Sequence, residues 1–356
     1  MKKADSGFFG HNRKPEGKGA NMTIKDIARF SGCGVATVSR VLNNHPDVSE
    51  ETRRKVMAVV NEYGFMPNSN AKHLKQQASG SIAIIVKGTK NLLFADLVEE
   101  IQALLREAGQ DAAVYYLDED ANEVAYALKL CRERKPRGFL FLGGDLEQFK
   151  ADFGPVAVPC VLLTNNAESL GFKNLSSFTT DDEQAAEQVI DLLARLGHRN
   201  IGVLGGNLSG TQISYRRLEG CRRACERLQI PFDLEQQCEQ CRYSMPDAYA
   251  AAERLLLRRP DLTAVFALSD VMALGAIRAF CDMGKRVPED ISVVGYDGVV
   301  TGQYSLPRLT TIQQDTKQLA EQGVDSMLRA FVRGGHPIHR VVPFKLVPGE
   351  SVARIR

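Results

Sequence analysis

The sequence predicts two kinds of fold in one chain: an all-α helix-turn-helix headpiece, followed by an α/β core of two doubly wound parallel-sheet subdomains. The chain has 356 residues, enough for two or three domains. Residues 22–67 show three short helical patterns, and from residue 81 short apolar runs alternate with amphipathic ones. With 44% hydrophobic and 25% charged residues, the composition is that of a folded globular protein and excludes a disordered or collagen-like chain.

The first 21 residues form a segment rich in Gly, Lys and Asn that has no periodicity, so we expect a disordered basic extension. The segment lacks the apolar stretch of a secretory signal, and no run in the chain reaches the roughly 18 apolar residues of a membrane span. We therefore expect a cytoplasmic protein without membrane contact. The eight scattered cysteines agree with reduced thiols in that compartment.

Charge is distributed unevenly along the chain. Of the 45 Lys and Arg and 43 Asp and Glu, residues 1–75 hold 13 and 7, so this segment has a net charge of +6 and the remainder −4. The basic end is therefore expected to have a different partner from the rest of the chain.

The headpiece sequence contains three helical segments, TIKDIARF, VATVSRVLNN and SEETRRKVMAVVNEYGF. The third begins at Ser49, a good N-cap residue, and has two glutamates in its first turn, where the helix dipole favours anions. Gly64 is expected to end it. One face carries apolar residues at helical spacing and should be buried: Val56, Val59, Val60 and Tyr63.

The first two helices are joined by a turn that contains Gly32 and Gly34. Their facing apolar side chains are expected to pack together: Ile24, Ile27 and Ala28 against Val38, Val41 and Leu42. The opposite face of the second helix then points outward, and in a helix-turn-helix it enters the major groove. From the helical pattern alone, a three-helix bundle with no DNA partner is an equally good interpretation.

The outward positions carry side chains suited to DNA. Arg40 can donate to guanine O6 and N7, while Val35 and Ala36 can contact thymine methyl groups. The hydroxyl residues that can donate to phosphates are Thr23, Thr37 and Ser39.

The core sequence contains seven short apolar strands: SIAIIVK, DAAVYYL, GFLFLG, PCVLLT, IGVLG, AVFAL and ISVVGY. Strands this apolar are buried on both faces, which requires crossover helices and a parallel sheet. About 275 residues suit two such sheets better than one. Ligands bind beyond the carboxyl ends of parallel strands, so we expect a pocket between the two subdomains.

The sequence gives only weak indications of a metal site or of catalysis. Cys238 and Cys241 form one CxxC without a second pair at zinc-site spacing, and His336 and His339 flank a Gly-Pro turn without acidic neighbours. The chain contains no GxSxG, no GxxxxGK[ST] and no HExxH. We expect no metal, no cofactor and no enzymatic activity.

The headpiece string TIKDIARFSGCGVATVSRVLNNHPDVSEETRRKVMAVVNEYGFMPNSNAKHL resembles the headpiece of the LacI/GalR family of bacterial transcription regulators. Segments of the core resemble that family in the same order: SIAIIV, NLLFADLVEEI, LARLGHRNIGVLGG, RRLEG, SDVMALGAIRAF, VPEDISVVGYDG and PRLTTIQQD. The resemblance covers about residues 22–356. It implies a homodimeric repressor that binds pseudopalindromic operator DNA and whose periplasmic-binding-protein-like core closes around a small-molecule effector, possibly a carbohydrate.

The resemblance also implies a hinge helix in NSNAKHLK that folds on DNA. Leu74 would be its minor-groove wedge, with Lys72 and Lys75 close to phosphates. Asn43, at the end of the second headpiece helix, is a further expected DNA contact.

For the effector, the resemblance places Arg217 at the anchoring arginine and Asp297 at the hydroxyl- or amine-binding aspartate. Further positions that it implies are Asn91, Phe94, Thr164, Ser269 and Gln314. An arginine facing an aspartate suits a polar ligand, because one group donates and the other accepts.

The chain departs from the family pattern at four positions. Gly34 replaces a capping Ser and Cys33 a turn Val, and neither change should prevent the headpiece from folding. Gly298 and Thr164 stand where Asp is common in sugar-binding members. Fewer carboxylates weaken a simple sugar interpretation and leave a sugar phosphate or a nucleoside-like metabolite open.

We expect the following boundaries: an extension over 1–21, a headpiece over 22–67, a hinge helix and linker over 68–79, and a core over 80–356. Within the core, the N-subdomain is expected over about 80–178 and 314–342, and the C-subdomain over about 179–313 and 343–356.

Two other functions remain compatible with the sequence. One is a DNA-binding regulator that responds to no effector. The other is a cytoplasmic solute receptor or α/β enzyme in which residues 22–75 serve for dimerisation, because a fold does not determine a function.

Overall fold

The computed structural model describes residues 24–42, 47–63, 80–205, 213–333 and 335–355. The chain divides into two compact units between Lys75 and Gln76.

Within the described residues, the first unit shows three helices: α1 (Ile24–Ser31), α2 (Val35–Leu42) and α3 (Glu50–Glu62). Gly32 lies in the turn between the first two with φ +64°, a conformation that glycine adopts without strain. The helices enclose one apolar cluster: Ile27, Ala28, Val38, Val41, Val56 and Val60. The predicted packing of α1 against α2 is confirmed for the residues in this cluster, whereas the Ile24 side chain lies outside the described part of the chain.

Helix α3 begins as predicted, since the Ser49 hydroxyl accepts a hydrogen bond from the Thr52 amide at 3.3 Å. The prediction that Tyr63 belongs to the buried face is wrong. Tyr63 is 39% exposed and stacks on Phe30 with a ring-centroid distance of 5.0 Å. It occupies the C-cap, beyond the turn whose valines reach the core. Gly64 lies outside the described residues.

The second unit contains two six-stranded sheets. The first has the strand order β11-β5-β4-β3-β1-β2, and all of its strand pairs are parallel. Its strands are β1 (Ile82–Lys87), β2 (Ala112–Leu117), β3 (Gly138–Leu142), β4 (Cys160–Leu163), β5 (Leu175–Thr180) and β11 (His339–Val342).

The second sheet has the order β12-β10-β9-β8-β6-β7. Its strands are β6 (Ile201–Gly205), β7 (Cys238–Gln240), β8 (Ala264–Ala267), β9 (Ser292–Asp297), β10 (Thr310–Gln314) and β12 (Phe344–Val347). The β12 strand runs antiparallel to β10, whereas the other pairs are parallel. The expectation of an entirely parallel core is therefore wrong at this edge, because β12 returns after a direct connection from β11.

Helices cover both sheets. They are α4 (Leu92–Glu107), α5 (Glu123–Glu133), α6 (Leu146–Asp152), α7 (Asp182–Arg195), α8 (Ile213–Arg227), α9 (Leu234–Gln237), α10 (Met245–Arg258), α11 (Asp270–Asp282), α12 (Val300–Gln303) and α13 (Thr316–Arg333), with a 3₁₀ turn at Glu168–Leu170.

Burial on both faces is confirmed for six of the seven predicted strands, and β1 shows it clearly. Ile82, Ile84 and Val86 belong to one apolar cluster, while Ala83 and Ile85 belong to the cluster on the other face. Alternate side chains of a strand point to opposite faces, so both faces of this strand are covered. The prediction is wrong for β2, an edge strand that is only partly buried and whose Tyr116 is 59% exposed.

The seven predicted strands are all present, and five further strands escaped the sequence analysis: β5, β7, β10, β11 and β12. The β5 strand is rich in Ser and Thr and the β10 strand in Thr and Gln, so neither forms an apolar run. Their hydroxyls are satisfied inside the fold: Thr180 Oγ1 donates to Gln314 Oε1 at 2.9 Å, and Thr311 Oγ1 donates to Asp270 Oδ1 at 2.6 Å. Partners this distant in sequence cannot be read from local pattern.

The chain passes between the two sheets at three places: from β5 into α7, from β10 into α13, and from β11 into β12. All three connections lie at the same edges, formed by β11 and β5 in one sheet and by β12 and β10 in the other. The rest of each sheet extends away from this hinge edge.

No helix within the described ranges is long and apolar enough to cross a membrane.

Candidate functional site

The outward face of α2 presents three of the residues predicted to contact DNA. Val35 is 43% exposed, and Ala36 and Arg40 are also exposed, whereas Val38 and Val41 on the opposite face are buried. Thr37 and Ser39 are half-buried beside them. Because no described part of the headpiece covers the first turns of α2, their side chains form a small surface that mixes methyl groups, hydroxyls and a guanidinium.

The other residues predicted to contact DNA lie outside the described part of the chain. They are Thr23, Asn43, Lys72, Leu74 and Lys75.

The core contains a cavity of about 90 Å³ between the carboxyl ends of the two sheets. Five of the seven residues predicted to contact the effector line it: Asn91, Phe94, Thr164, Arg217 and Asp297. Gln314 lies behind Asp297 and donates to its Oδ1 from Nε2 at 2.9 Å. Ser269, at the N-cap of α11, is fully buried, and its hydroxyl makes no hydrogen bond with the described residues.

Arg217 is held rigidly on the C-subdomain side of the cavity. Its Nε donates to Asp182 Oδ1 at 2.7 Å, and its Nη1 donates to the Leu268 carbonyl at 2.5 Å. The guanidinium lies over the Tyr296 ring at 3.6 Å, and the Tyr296 hydroxyl donates to the same Asp182 oxygen at 2.8 Å. Burial alone would lower the pKa of Arg217, but the neighbouring Asp182 raises it, so the arginine stays charged.

Asp297 lies on the same side of the cavity with φ +112°. Burial raises its pKa to about 6, against the opposing effects of Arg217, whose Nη1 is 3.9 Å away, and of Gln314. Thr164, on the opposite side, has φ +70°, which is strained for a β-branched residue. Strained backbone of this kind persists where the surrounding structure holds a functional side chain in place.

Steric crowding explains why position 298 carries Gly and not the Asp that is common in the family. Gly298 has φ +77°, and a Cβ atom built on it would lie 2.6 Å from the Gln313 Cα. An Asp therefore does not fit this backbone.

The N-subdomain side of the cavity contains a buried ion pair that sequence analysis did not find. Lys87, at the end of β1, lines the cavity, and its Nζ donates to Glu123 Oε2 at 2.7 Å. Glu123 is fully buried and also accepts from the Asp145 amide at 2.5 Å. Asn91 caps α4 by accepting from the Leu93 amide at 3.1 Å, and Phe94 packs against Gly143.

Three more polar residues that line the cavity were missed: Glu119, Asn165 and Tyr243. Lys87, Glu119 and Asn165 each lie at or just after the carboxyl end of a predicted strand, so the rule that ligands bind there was a usable signal. Tyr243 follows β7, a three-residue strand with no apolar run, and offered no comparable signal.

The CxxC and the two histidines have structural surroundings. Burial raises the pKa of both Cys238 and Cys241 to about 12, which keeps the thiols protonated. His339 Nδ1 lies 2.7 Å from the Ser177 hydroxyl, and His336 lies on an exposed loop. Among the residues that the structure describes, no group of three or more His, Cys, Asp or Glu side chains is arranged to hold a metal ion.

Family models match both units. Residues 23–68 match the model of bacterial regulatory proteins of the lacI family, and residues 190–352 match a periplasmic binding protein-like domain.

Two relatives are similar over most of the chain. The HTH-type transcriptional regulator MalR of Clostridium butyricum is 35% identical over 338 residues, which cover 94% of this chain and 100% of the relative. The probable HTH-type transcriptional repressor ExuR of Bacillus subtilis (strain 168) is 30% identical, with 86% and 91% covered. Both names describe regulators of transcription and not enzymes.

Two solved structures show the same fold over nearly the whole chain. The lac repressor dimer bound to operator and the anti-inducer ONPF is 26% identical with a TM-score of 0.67, covering 94% of this chain and 100% of that one. The complex of the transcriptional regulator CelR with cellobiose is also 26% identical with a TM-score of 0.67, covering 93% and 99%.

Proposed function

The chain belongs to the lacI family of bacterial regulatory proteins and is a DNA-binding transcriptional regulator, and from this premise we propose that it represses transcription as a homodimer on a pseudopalindromic operator. A small polar effector in the core cavity controls its affinity for that operator. Because its relatives regulate transcription, we place it in the cytoplasm, on DNA, and assign it no catalytic activity.

The observation that carries the DNA-binding proposal is the division of α2 into two faces. Val38 and Val41 are buried in the headpiece, while Val35, Ala36 and Arg40 are exposed on successive turns. An α-helix fits the major groove, and Arg40 there can donate two hydrogen bonds to a guanine. The structure of the lac repressor dimer on its operator, 26% identical to this chain, supports twofold-related binding.

We propose the following division of labour along the chain. Residues 22–67 read the operator, and residues 68–79 connect them to the core and contact the minor groove through Leu74. The core binds the effector between an N-subdomain (about 80–178 and 314–342) and a C-subdomain (about 179–313 and 343–356). The effector contacts are the five predicted residues that line the cavity, joined by Lys87, Glu119, Asn165 and Tyr243. The other two predicted residues, Gln314 and Ser269, would act from behind the cavity wall.

The charge balance of the cavity favours a neutral, polyhydroxylated effector. Among the described residues, the cations that line it are Lys87 and Arg217, and each is already paired with a buried carboxylate, Lys87 with Glu123 at 2.7 Å and Arg217 with Asp182 at 2.7 Å. These cations can donate hydrogen bonds to an oxygen without contributing an unbalanced positive charge, so a phosphate or carboxylate gains little from them. Asp297 and Glu119 supply acceptors for ligand hydroxyls. The CelR complex with cellobiose is a precedent among the similar structures.

Selection of bound fragments from randomised duplex DNA tests the DNA-binding part. We expect the selected sequences to share a twofold-symmetric motif, and binding to weaken steeply as salt concentration rises, because Lys and Arg contacts release counterions. Failure to retard any selected duplex on a native gel, even in dilute buffer, would overturn the proposal.

Calorimetry tests the effector part, with cellobiose as a neutral probe and glucose 6-phosphate as an anionic one. Preference for the neutral probe is expected from the paired cations. Preference for the anionic probe would contradict the charge argument, and silence across a wider panel of sugars would favour the regulator that responds to no effector.

A further inference from the structure

One guanidinium connects the two subdomains at the mouth of the cavity. Arg242, in the loop after β7, donates from Nε to Glu119 Oε1 at 2.7 Å and from Nη2 to Asp118 Oδ1 at 2.5 Å. Its Nη2 also lies 3.6 Å from Asp120 Oδ2. The backbone amide of Tyr243 donates to the second oxygen of Glu119 at 3.3 Å. Residues 118–120 belong to the N-subdomain side, so this network joins parts of the chain more than 120 residues apart.

The network lies at the end of both sheets that is farthest from the hinge edge. The acidic residues follow β2, the last strand of the first sheet, and Arg242 follows β7, the last strand of the second. The three connections between the sheets lie at the opposite edges, beside β5 and β10. A contact far from a hinge opposes rotation about that hinge more effectively than a contact close to it.

Repulsion among neighbouring carboxylates makes the arginine necessary. Three consecutive carboxylates, Asp118 to Asp120, share one turn, in which the Asp120 amide donates to Asp118 Oδ1 at 3.1 Å. Arg242 contacts all three, and Lys90 is a further cation near Asp118. Without the guanidinium, like charges would repel one another and face the opposite subdomain uncompensated.

We infer that Arg242 is a positioning residue for the effector cavity: its contacts with Asp118 and Glu119 clasp the two subdomains together and hold Glu119 and Tyr243 in the cavity wall. The inference rests on the proposed effector function of the core. Tyr243 continues the connection inward, since its hydroxyl lies 2.8 Å from the Ser214 hydroxyl at the start of α8, the helix that carries Arg217. Loss of the clasp therefore both opens the core and releases two residues of the wall.

The expected effect is modest because the pair is partly exposed, with Arg242 47% accessible. Exposed ion pairs shift equilibria only slightly, so we expect a roughly two- to five-fold change in the ratio of closed to open cores. The effect should be larger in dilute buffer, where screening is weaker.

Electron–electron distance measurement across the cavity tests the clasp without DNA or effector. Spin labels are attached at Glu133 on α5 and at Leu257 on α10, because both positions are exposed. The labels are carried by non-natural amino acids, so the native cysteines stay unmodified. Labelled chain is diluted with excess unlabelled chain, so that each measured pair belongs to one molecule. Measurements are made at about 0.05 M and about 0.5 M salt.

We expect Arg242→Glu to lengthen and broaden the distance distribution at low salt, and the charge swap Glu119→Arg with Arg242→Glu to restore it. The matched control is Arg254→Glu, because Arg254 is similarly exposed at 54% but pairs with Glu239 inside one subdomain at 2.7 Å. This control should leave the distribution unchanged.

Two results would overturn the inference: a distribution in Arg242→Glu that coincides with that of the unsubstituted protein, or opening that the charge swap fails to reverse. Gel retardation on selected duplexes is run on the same samples. Loss of DNA binding with an intact clasp would count against the proposed function and not against the clasp.

Discussion

Asp182 Oδ1 accepts a hydrogen bond from Arg217 Nε at 2.7 Å in the interior of the C-subdomain, where both side chains are about 96% buried. Burial raises the pKa of Asp182, while the neighbouring Arg217 lowers it. The pair fixes the Arg217 guanidinium, which lines the cavity, so the shape of the cavity depends on a residue that does not line it.

Asp182→Asn is expected to destabilise the protein and weaken effector binding together. Removing one partner of a buried ion pair leaves an uncompensated charge and typically costs about 3–5 kcal/mol of the free energy of unfolding. The freed guanidinium can also turn toward Asp297, which lies 3.9 Å from its Nη1. Urea denaturation measures the loss. Asp290→Asn, which breaks an exposed pair with Arg286, is the control and should change little; equal losses in both variants would contradict the assignment.

Stability should depend on pH through Asp297. Burial raises its pKa from 3.8 to about 6, so the folded protein retains a proton that the unfolded chain has already released. The stabilising contribution of the protonated group is fully present below about pH 4 and is lost as pH rises through 6, a change of about 3 kcal/mol. Relative to the unsubstituted protein, Asp297→Asn should therefore gain stability between pH 4 and 7. A difference that stays constant over this range, in denaturant titrations at each pH, would disprove it.

Gly298→Ala should destabilise the protein more than Gly284→Ala, a substitution at a glycine with nearly the same backbone conformation. Gly298 and Gly284 have φ +77° and +79°, but a Cβ at Gly298 would lie 2.6 Å from the Gln313 Cα, whereas at Gly284 nothing lies within 4 Å. Both variants incur about 1–2 kcal/mol of backbone strain, and Gly298→Ala a further 1–3 kcal/mol, roughly, from overpacking. Thermal melting compares them. Similar melting temperatures would show that the backbone at Gly298 moves aside freely.

Arg40→Ala is expected to reduce discrimination more than general affinity. A bidentate contact to guanine contributes about 1–3 kcal/mol to the preference for the right base. Affinity for a selected operator should thus fall by that amount, while affinity for unrelated duplex changes little. Fluorescence anisotropy with both duplexes measures the two losses in one sample; equal losses would identify Arg40 as a phosphate contact.

Gly34→Ser should stabilise the headpiece slightly. The Gly34 carbonyl accepts from the Val38 amide at 3.0 Å, and an added Cβ would meet only Thr37 Oγ1 at 3.8 Å, so a serine fits. Ser at an N-cap exceeds Gly by a few tenths of a kcal/mol. The headpiece melting transition should rise by a small amount. A lower melting temperature would contradict the N-cap role of position 34.

Local sequence pattern predicts the elements whose burial it records. Seven apolar strands and three headpiece helices were predicted because their apolar residues recur at the spacing of the element itself. It failed for β5 and β10, whose buried hydroxyls have partners such as Gln314 and Asp270 in other elements. It also missed the ion pair at the cavity: the strand end could have pointed to Lys87, but no local pattern points to its buried partner Glu123.

The order of a helix-turn-helix followed by two largely parallel sheets can be read from the sequence, and the resemblance that the sequence carries named five residues that line the cavity. Tertiary structure alone decided how those residues are held: Asp182 behind Arg217, Glu123 behind Lys87, and Arg242 across the rim to Glu119. The two differ in how far along the chain the interacting residues lie from each other. Helical and strand periodicity reflects the nearest turns of the chain, whereas the pairing of a buried charge depends on which distant segment the completed fold brings within about 3 Å of it.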